Sequence, residues 1–351
     1  MFSISLYKIN QKRKDKKHFK LTNRWRVYFD SFLTNENTES LTMQQKYYKK
    51  LHSTEELMAF FEASLKYIHS DQIKVRGEFR QFLRENKRFF VSLGYVYGKK
   101  GSISKAYFAF ICEQLCINNP EEYDEITKIM MEYALEPSIY CRENALKALY
   151  AFGNIDAVLE VFIKLSRNNI IHHRKLVTDG LLEFKGDSAA LAESLYDHFD
   201  KFNPEYQVAL IDFFRFSGER LKNKLIKLLK QRATDKDIVC ALLRYYRKYP
   251  VQKYKDTILS YLTIPNDEEW ECVSTAALAL GKYPGEDTIH ALKSALTSKY
   301  WYVRLNAARS IAKLGVEEDK LMDILQGQDF YAKEQLIYHI TNRKEKMIQN
   351  V

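Results

Sequence analysis

Between Lys299 and Gly315 the chain reads KYWYVRLNAARSIAKLG, and its apolar residues recur at helical spacing. Val303, Ala307, Ser310, Ile311 and Leu314 stand at i, i+4, i+7, i+8 and i+11, while Leu305, Ala308 and Ala312 occupy the adjoining face. The apolar arc is therefore wide, and the predicted helix is buried on more than one side. Ala307 and Ala308 are small enough to let a neighbouring helix approach closely. Gly315 falls where a helix needs a residue tolerant of positive φ at its C-cap. A second short amphipathic helix is expected over Val316 to Leu325.

The same pattern recurs along the chain. Counting back from Val303, corresponding positions fall at Cys272, Val239, Tyr206, His173 and Cys141, separated by 31, 33, 33, 33 and 32 residues. The next residue is basic at Arg304, Arg174 and Arg142, and turn residues close the units at Gly153, Gly186, Gly218, Pro284, Gly285 and Gly315. Weaker copies continue to Phe108 and to Val75-Arg76, with Asn119-Pro120 ending one helix and capping the next, and forward to Ala332-Lys333. Between these segments, Thr288 to Leu296 and Lys222 to Leu229 carry single apolar stripes that suit partner helices. A period near 32 residues is a solenoid period, because each hairpin can bury its apolar faces only against its neighbours. The expectation is an all-α fold, a right-handed-type α-α superhelix of seven to nine helical hairpins. Lys333, Arg343, Lys344 and Lys346 make the last helix a polar cap.

The N-terminus breaks this pattern. Residues 10–20, NQKRKDKKHFK, show no apolar periodicity and read as a solvated basic tail or as a segment for an anionic membrane surface. Trp25, Tyr28, Phe29 and Phe32 then stand at helical spacing, which predicts a first helix packed on the array. Thr34 to Thr42 is a polar loop. Ser53 and Glu56 form a capping box ahead of Leu57, Phe61, Leu65 and Ile68, so regular helical structure is expected from Ser53 onward. The predicted division is a basic arm with one aromatic helix (1–41), a region of degenerate repeats (42–134) and the repeat array (135–351).

Composition supports helices throughout, with 12 Gly and 6 Pro in 351 residues. Charge is unevenly placed. The formal net charge is +10, and residues 1–50 hold 12 Lys and Arg against 4 Asp and Glu, leaving the body nearly neutral. The basic cluster consists of Lys12, Arg13, Lys14, Lys16, Lys17, Lys20, Arg24 and Arg26. Five cysteines form no CxxC pair and suit a reduced cytosolic setting. Cys112 and Cys116 lie one helical turn apart without an accompanying histidine, so buried thiols are expected. The apolar runs around Phe89 to Tyr97 and Ala106 to Ile117 are too short to span a bilayer, for which ~20 residues are needed. Met1 to Ile9 is too short for a signal peptide. A cytoplasmic protein is expected, peripheral to or tethered at the inner face of a membrane.

The VRLNAARSIAKLG of residues 303–315 and the YCRENALKALYAFGN of residues 140–154 resemble the HEAT family, including its short bacterial members, over about residues 135–340. The resemblance implies a helical solenoid that acts as a binding surface. It also implies that an Arg at the position of Arg304 hydrogen-bonds between repeats, a ladder interrupted where Val273 and Cys240 replace it. A basic stretch ahead of such repeats is similar to bacterial proteins in which a membrane helix precedes a cytosolic solenoid and which accompany membrane glycosyltransferases.

Candidate contacts follow from the register. Trp270, Trp301 and Phe330 stand two positions before the aligned residue in three successive units, with Asp237, Pro204, Ile171 and Ile139 farther back. They either fill the groove between repeats or form an exposed ridge with Tyr302 and Arg304, since aromatic and arginine side chains are typical interface anchors. Arg244 to Tyr249 interleaves bases and aromatics, and Arg244 and Lys248 fall on a different face from Tyr246 and Arg247. GxGxxG, GxxxxGK[ST], HExxH and GxSxG are all absent from the sequence. No cofactor or metal is expected. The leading expectation is a non-catalytic scaffold that binds another protein, with a nucleic-acid binder or DNA glycosylase of the HEAT-like type as the alternative, and a HEAT-like bilin lyase third.

Overall fold

The computed structural model describes residues 2–33, 45–117, 123–231, 235–263 and 269–349. Among them every regular element is a helix. The loop expected over Thr34 to Thr42 and the Asn119-Pro120 step lie outside the described residues. The chain divides into two units, residues 1–172 with 183–194 and residues 173–182 with 195–351.

The second unit is a stack of helical hairpins. Helices Arg174–Leu182, Pro204–Ser217, Lys236–Lys248, Trp270–Leu280, Trp301–Leu314 and Phe330–Gln349 pack each on the next. The intervening helices Lys222–Lys230, Lys255–Leu259, Glu286–Ala295 and Met322–Leu325 each lie against the inner helix that follows. This i to i+2 packing is that of an α-solenoid. The helix expected over Val316 to Leu325 is reduced to a 3-10 turn, Asp319–Leu321, and one turn of α-helix, Met322–Leu325. Only Leu321 of that stretch is buried, so little apolar contact is available to extend it.

The first unit begins with a long helix. Phe2–Leu33 is continuous over 32 residues, so the basic stretch is helical and the aromatic segment is the end of the same helix. Its buried end carries Trp25 and Phe29, which pack edge-on against Phe60 at 5.1 and 5.3 Å, with Phe29 also against Phe79 at 5.0 Å. Ring pairs of this kind contribute ~0.5–1.5 kcal/mol each beyond area burial, enough to hold the helix on Thr54–Ile68. Regular structure thus starts well before Ser53. Ser53 does sit at the N-cap of Thr54–Ile68, but its side chain makes no capping bond, and Glu56, which would return the bond to the Ser53 N–H in a capping box, is turned instead to Arg24 and to the Trp25 indole N–H. Farther on, Ser102–Leu115 packs on Ile139–Phe152, while Lys87–Gly98, Glu125–Ala134 and Ile155–Arg167 form the parallel outer row.

The sequence register is visible inside the helices. Cys141, Tyr206, Cys272, Val303 and Ala332 are each the third residue of their helix, and each is at most 2% exposed. Three copies depart from it, one of them Val239, the fourth residue of Lys236–Lys248. His173 precedes its helix and is exposed while His172 is buried, and Phe108 is the seventh residue of Ser102–Leu115.

Two side chains recur in the best-preserved copies. Arg142 and Arg304 donate through Nη1 to the carbonyls of Glu136 and Ser298, six residues earlier, at 3.1 and 2.5 Å, and Arg76 does the same to Ser70 at 2.9 Å. The arginine therefore closes the loop leading into its own helix, and Arg142 also donates through Nε to His172 of the next repeat at 3.2 Å, a bond between repeats of the kind the family resemblance implied. Arg174 is exposed. Asparagine also bonds between repeats. Asn144 donates to the Ala106 carbonyl at 2.9 Å, and Asn306, at the same register position, donates to the Ser274 carbonyl at 3.1 Å.

Glycine is required at two helix ends. Gly153 and Gly315 cap their helices with φ of 72° and 74°, the left-handed conformation in which a Cβ is penalised. Gly153 also touches Gly186. A Cβ built on Gly186 would stand 2.3 Å from the Gly153 carbonyl oxygen.

Candidate functional site

Extended backbone at Tyr300 (φ −88°, ψ 121°) leads into Trp301–Leu314 and sends three successive aromatics in different directions. Tyr300 and Tyr302 turn back onto Trp270, their rings stacked on it at 5.7 Å each with interplanar angles of 16° and 18°. Trp301 points outward and is 49% exposed, and Tyr302 is 54% exposed. One repeat later the pattern returns. Phe330 and Tyr331 open Phe330–Gln349, lie edge-on to each other at 5.8 Å and are both 65% exposed.

Arg304 joins the two pairs. Its guanidinium lies over the Tyr331 ring at 5.3 Å while its Nη1 is held by the Ser298 carbonyl, so a cation is fixed between the aromatic steps. Trp270, Trp301 and Tyr302 are thus assembled through direct ring contacts, while Arg304, one turn along the same helix, touches Tyr331, which in turn touches Phe330. Trp270 is the ring that packs between neighbours. Trp301 and Phe330 are outward. The sequence reading missed Tyr331, Ile337 and Tyr338, all exposed. Their presence also departs from the polar cap expected of the last helix. The signal lay in the repeated pair, Trp301-Tyr302 and Phe330-Tyr331.

The basic residues of the first helix divide into two sets. Lys12, Arg13, Lys14 and Lys16 are exposed. Lys17 pairs with Glu55 at 2.5 Å, Arg24 with Glu56, and Arg26 donates to the Asn23 side-chain oxygen at 3.5 Å. Lys20 is exposed beside a pocket between this helix and Tyr47. Among the described residues no helix is long and apolar enough to cross a membrane.

The polar cluster most like catalytic machinery is closed. Arg142 Nε donates to His172 Nδ1 at 3.2 Å, and His172 Nε2 meets Glu143 Oε2 at 2.7 Å. An arginine is always a donor, so Nδ1 accepts and the proton sits on Nε2, donated to Glu143. Burial alone would raise the Glu143 pKa, but the hydrogen bond from His172 and the hydrogen bond and charge of Lys147 bring it below its ordinary value. Both ring nitrogens are committed and His172 is buried, which leaves no lone pair for a substrate. Burial pushes the Cys112 thiol well above its ordinary range. Among the described residues no three metal-ligating side chains converge.

No family model matches the chain, and no curated protein matches it in sequence. Among solved structures, an engineered protein resembles it at 14% identity with a TM-score of 0.36, over 94% of this chain and 99% of that one. Human deoxyhypusine hydroxylase in complex with glycerol resembles it at 13% identity with a TM-score of 0.29, over 85% of this chain and 98% of the other. Likenesses this loose carry no argument about shape or chemistry. The solenoid architecture rests on the helix register and on the packing of alternate helices.

The Arg244 to Tyr249 cluster is no stacking platform. Tyr245 and Tyr246 are buried and donate to the Gly218 and Lys222 carbonyls at 3.2 and 2.6 Å. Lys248 donates to the Arg215 carbonyl at 2.9 Å. Base stacking needs exposed rings along a basic groove, and these rings face the interior.

Proposed function

We propose that the chain is a non-catalytic scaffold of the HEAT-like kind, whose aromatic ridge at Trp301, Tyr302, Phe330 and Tyr331 binds a protein partner. One observation carries the reading. The two outward pairs recur one repeat apart, with the Arg304 guanidinium fixed over Tyr331 between them. Exposed aromatic surface is costly in water, at about 25 cal/mol per Å². Aromatic and arginine anchors dominate binding energy where such surfaces are covered.

The basic N-terminal helix supports a tether at an anionic, cytoplasmic membrane face, since Lys12, Arg13, Lys14 and Lys16 project from a helix whose other end is locked into the first unit. Each such charge is worth ~1 kcal/mol near an anionic bilayer.

The test compares affinity capture from the native host by the wild-type chain and by the double variant Trp301→Ser, Phe330→Ser. A partner retained by the first and lost from the second is the expected result. An unchanged set of captured proteins rejects the ridge. Tight, steeply salt-dependent duplex binding by the full chain in a mobility-shift assay would move the assignment to the nucleic-acid alternative.

A further inference from the structure

Four cations of the first unit lie on the two helices that meet at one pocket: Lys20 and Arg24 line it, and Lys46 and Lys50 stand on the short helix that supplies Tyr47 to its wall. The face of Phe2–Leu33 that carries Lys20, Asn23, Arg24, Val27 and Tyr28 meets Tyr47 of the short helix Gln45–Lys50 and encloses a pocket of about 460 Å³. Arg24 donates through Nη2 to Glu56, and Glu56 also takes the Trp25 indole N–H at 3.1 Å. That carboxylate is thereby filled. Lys20, Lys46 and Lys50 have no acidic partner among the described residues. The Arg24 Nε is buried without a partner.

Lys50 feels the charges of Arg24 and Lys46. Burial lowers the Lys50 pKa, and the charges of Arg24 and Lys46 lower it further, against the opposing pull of Glu56. The Lys50 ammonium lies over the Tyr47 ring at 5.0 Å. Tyr28 and Tyr47 face each other at 4.3 Å and form an apolar wall, continued by Val27 at 68% exposure. Arg26 binds the oxygen of the Asn23 amide, so its NH2 group is the end left to donate.

We propose that this pocket binds a phosphomonoester carried on a sugar- or polyol-sized body. A dianion offsets charge that has no acidic partner among the described residues. Lysine ammonium groups suit phosphate as mobile point charges, and Asn23 adds a neutral donor. The paired tyrosines supply a flat surface for the ring that carries the phosphate. A pocket of this volume matches small-molecule sites in size. The source is a soluble sugar phosphate or a phosphorylated lipid headgroup. Only the second source rests on the tethering reading.

The experiment uses the full chain. Vesicles of phosphatidylcholine doped with phosphatidic acid, a phosphomonoester lipid, are compared in flotation with vesicles of matched charge containing phosphatidylserine. Soluble inositol bisphosphate and inorganic phosphate are titrated separately by calorimetry. The expected result is at least about tenfold tighter binding to phosphatidic acid than to phosphatidylserine, with inositol bisphosphate competing, since tenfold corresponds to ~1.4 kcal/mol. Lys20→Gln with Lys50→Gln should abolish that preference while leaving phosphatidylserine binding within about twofold. Lys12→Gln with Lys14→Gln and Lys16→Gln should weaken both vesicle types equally. Unchanged circular dichroism and melting temperature keep the comparison free of unfolding. Equal binding to both lipids, together with no soluble binding, overturns the pocket and leaves the tether standing. Soluble binding without vesicle binding upholds the pocket and overturns the tether. Binding to none of the probes overturns both.

Discussion

Arg142 donates to His172 across 30 residues of chain, at 3.2 Å, and the bond sets the tautomer of a buried imidazole. Its other nitrogen is given to Glu143, so three side chains from two turns of structure depend on one geometry. Removing the imidazole leaves the buried Arg142 Nε without a partner and takes from Glu143 its hydrogen bond at Oε2, with only Lys147 still paired to that carboxylate, which costs ~1–3 kcal/mol. His172→Leu is therefore expected to lower the unfolding free energy, read from urea denaturation, by that amount. Arg142→Lys should cost a similar amount, since lysine lacks the fork that reaches both His172 and the Glu136 carbonyl. Equal stability of either variant and the wild type would show that the cluster is not structural.

Gly153 and Gly186 behave as a matched pair. Alanine at Gly186 would drive its Cβ to 2.3 Å from backbone, and alanine at Gly153 would meet both the left-handed φ of 72° and the Gly186 nitrogen at 2.9 Å. Neither neighbour is a flexible side chain that can move aside. Each substitution is expected to destabilise by ~1–3 kcal/mol. The double substitution should be no cheaper than the worse single one. Gly77→Ala is the control, because nothing lies within 4 Å of a Cβ there, and thermal unfolding of the three variants reads the difference.

Packing and exposure separate the ridge residues. Trp270 lies between two tyrosines, so Trp270→Ala should cost ~2–4 kcal/mol in stability through lost ring contact. Trp301→Ser and Phe330→Ser should each stay within ~0.5 kcal/mol of wild type, as surface changes do. A large loss of stability at Trp301 or Phe330 would mean that they are packing residues and that the ridge is not free to bind.

Much of this architecture was legible in the residues. The 29 to 33 residue spacing located the third residue of five inner helices because that position is buried in each hairpin and must be apolar or small. Gly315 was readable because its conformation restricts the residue type. The arginine at Arg304 was also visible as a repeated feature, but not the direction of its bond, since a long side chain reaches either a neighbouring repeat or its own loop. Asn144 and Asn306 stand in both quoted motifs, yet a single asparagine on a helix carries no sign of what it donates to. The basic N-terminus misled for a different reason. Periodicity is lost wherever a helix has no buried face, so residues 10–20 gave no helical signal although they continue one. Exposure of Trp301 and Phe330, and burial of Tyr245 and Tyr246, depended on which way adjacent rings turn, and spacing alone does not specify that.

Alkaline conditions test the burial of the tyrosines. Tyr97 and Tyr283 are fully buried and donate to the carbonyls of Leu51 and Tyr246, each at 3.0 Å. Burial pushes both hydroxyls from 10.0 up to about 12. Because the folded value lies above the unfolded one, the neutral form is favoured in the fold. The stabilisation is fully present below about pH 10 and is lost as pH rises toward 12, at ~1.4 kcal/mol per tenfold change in the ionisation constant. Tyrosinate absorbance and far-ultraviolet circular dichroism should therefore split the 24 tyrosines into a class that titrates with helicity intact and a class that ionises only as the helices melt. Tyr283→Phe removes one such group. It should lower stability at neutral pH by ~1 kcal/mol, through loss of the hydrogen bond to Tyr246, and move the alkaline midpoint upward. Titration of all tyrosines as one class near pH 10, with helices unchanged, would contradict the burial on which the prediction rests.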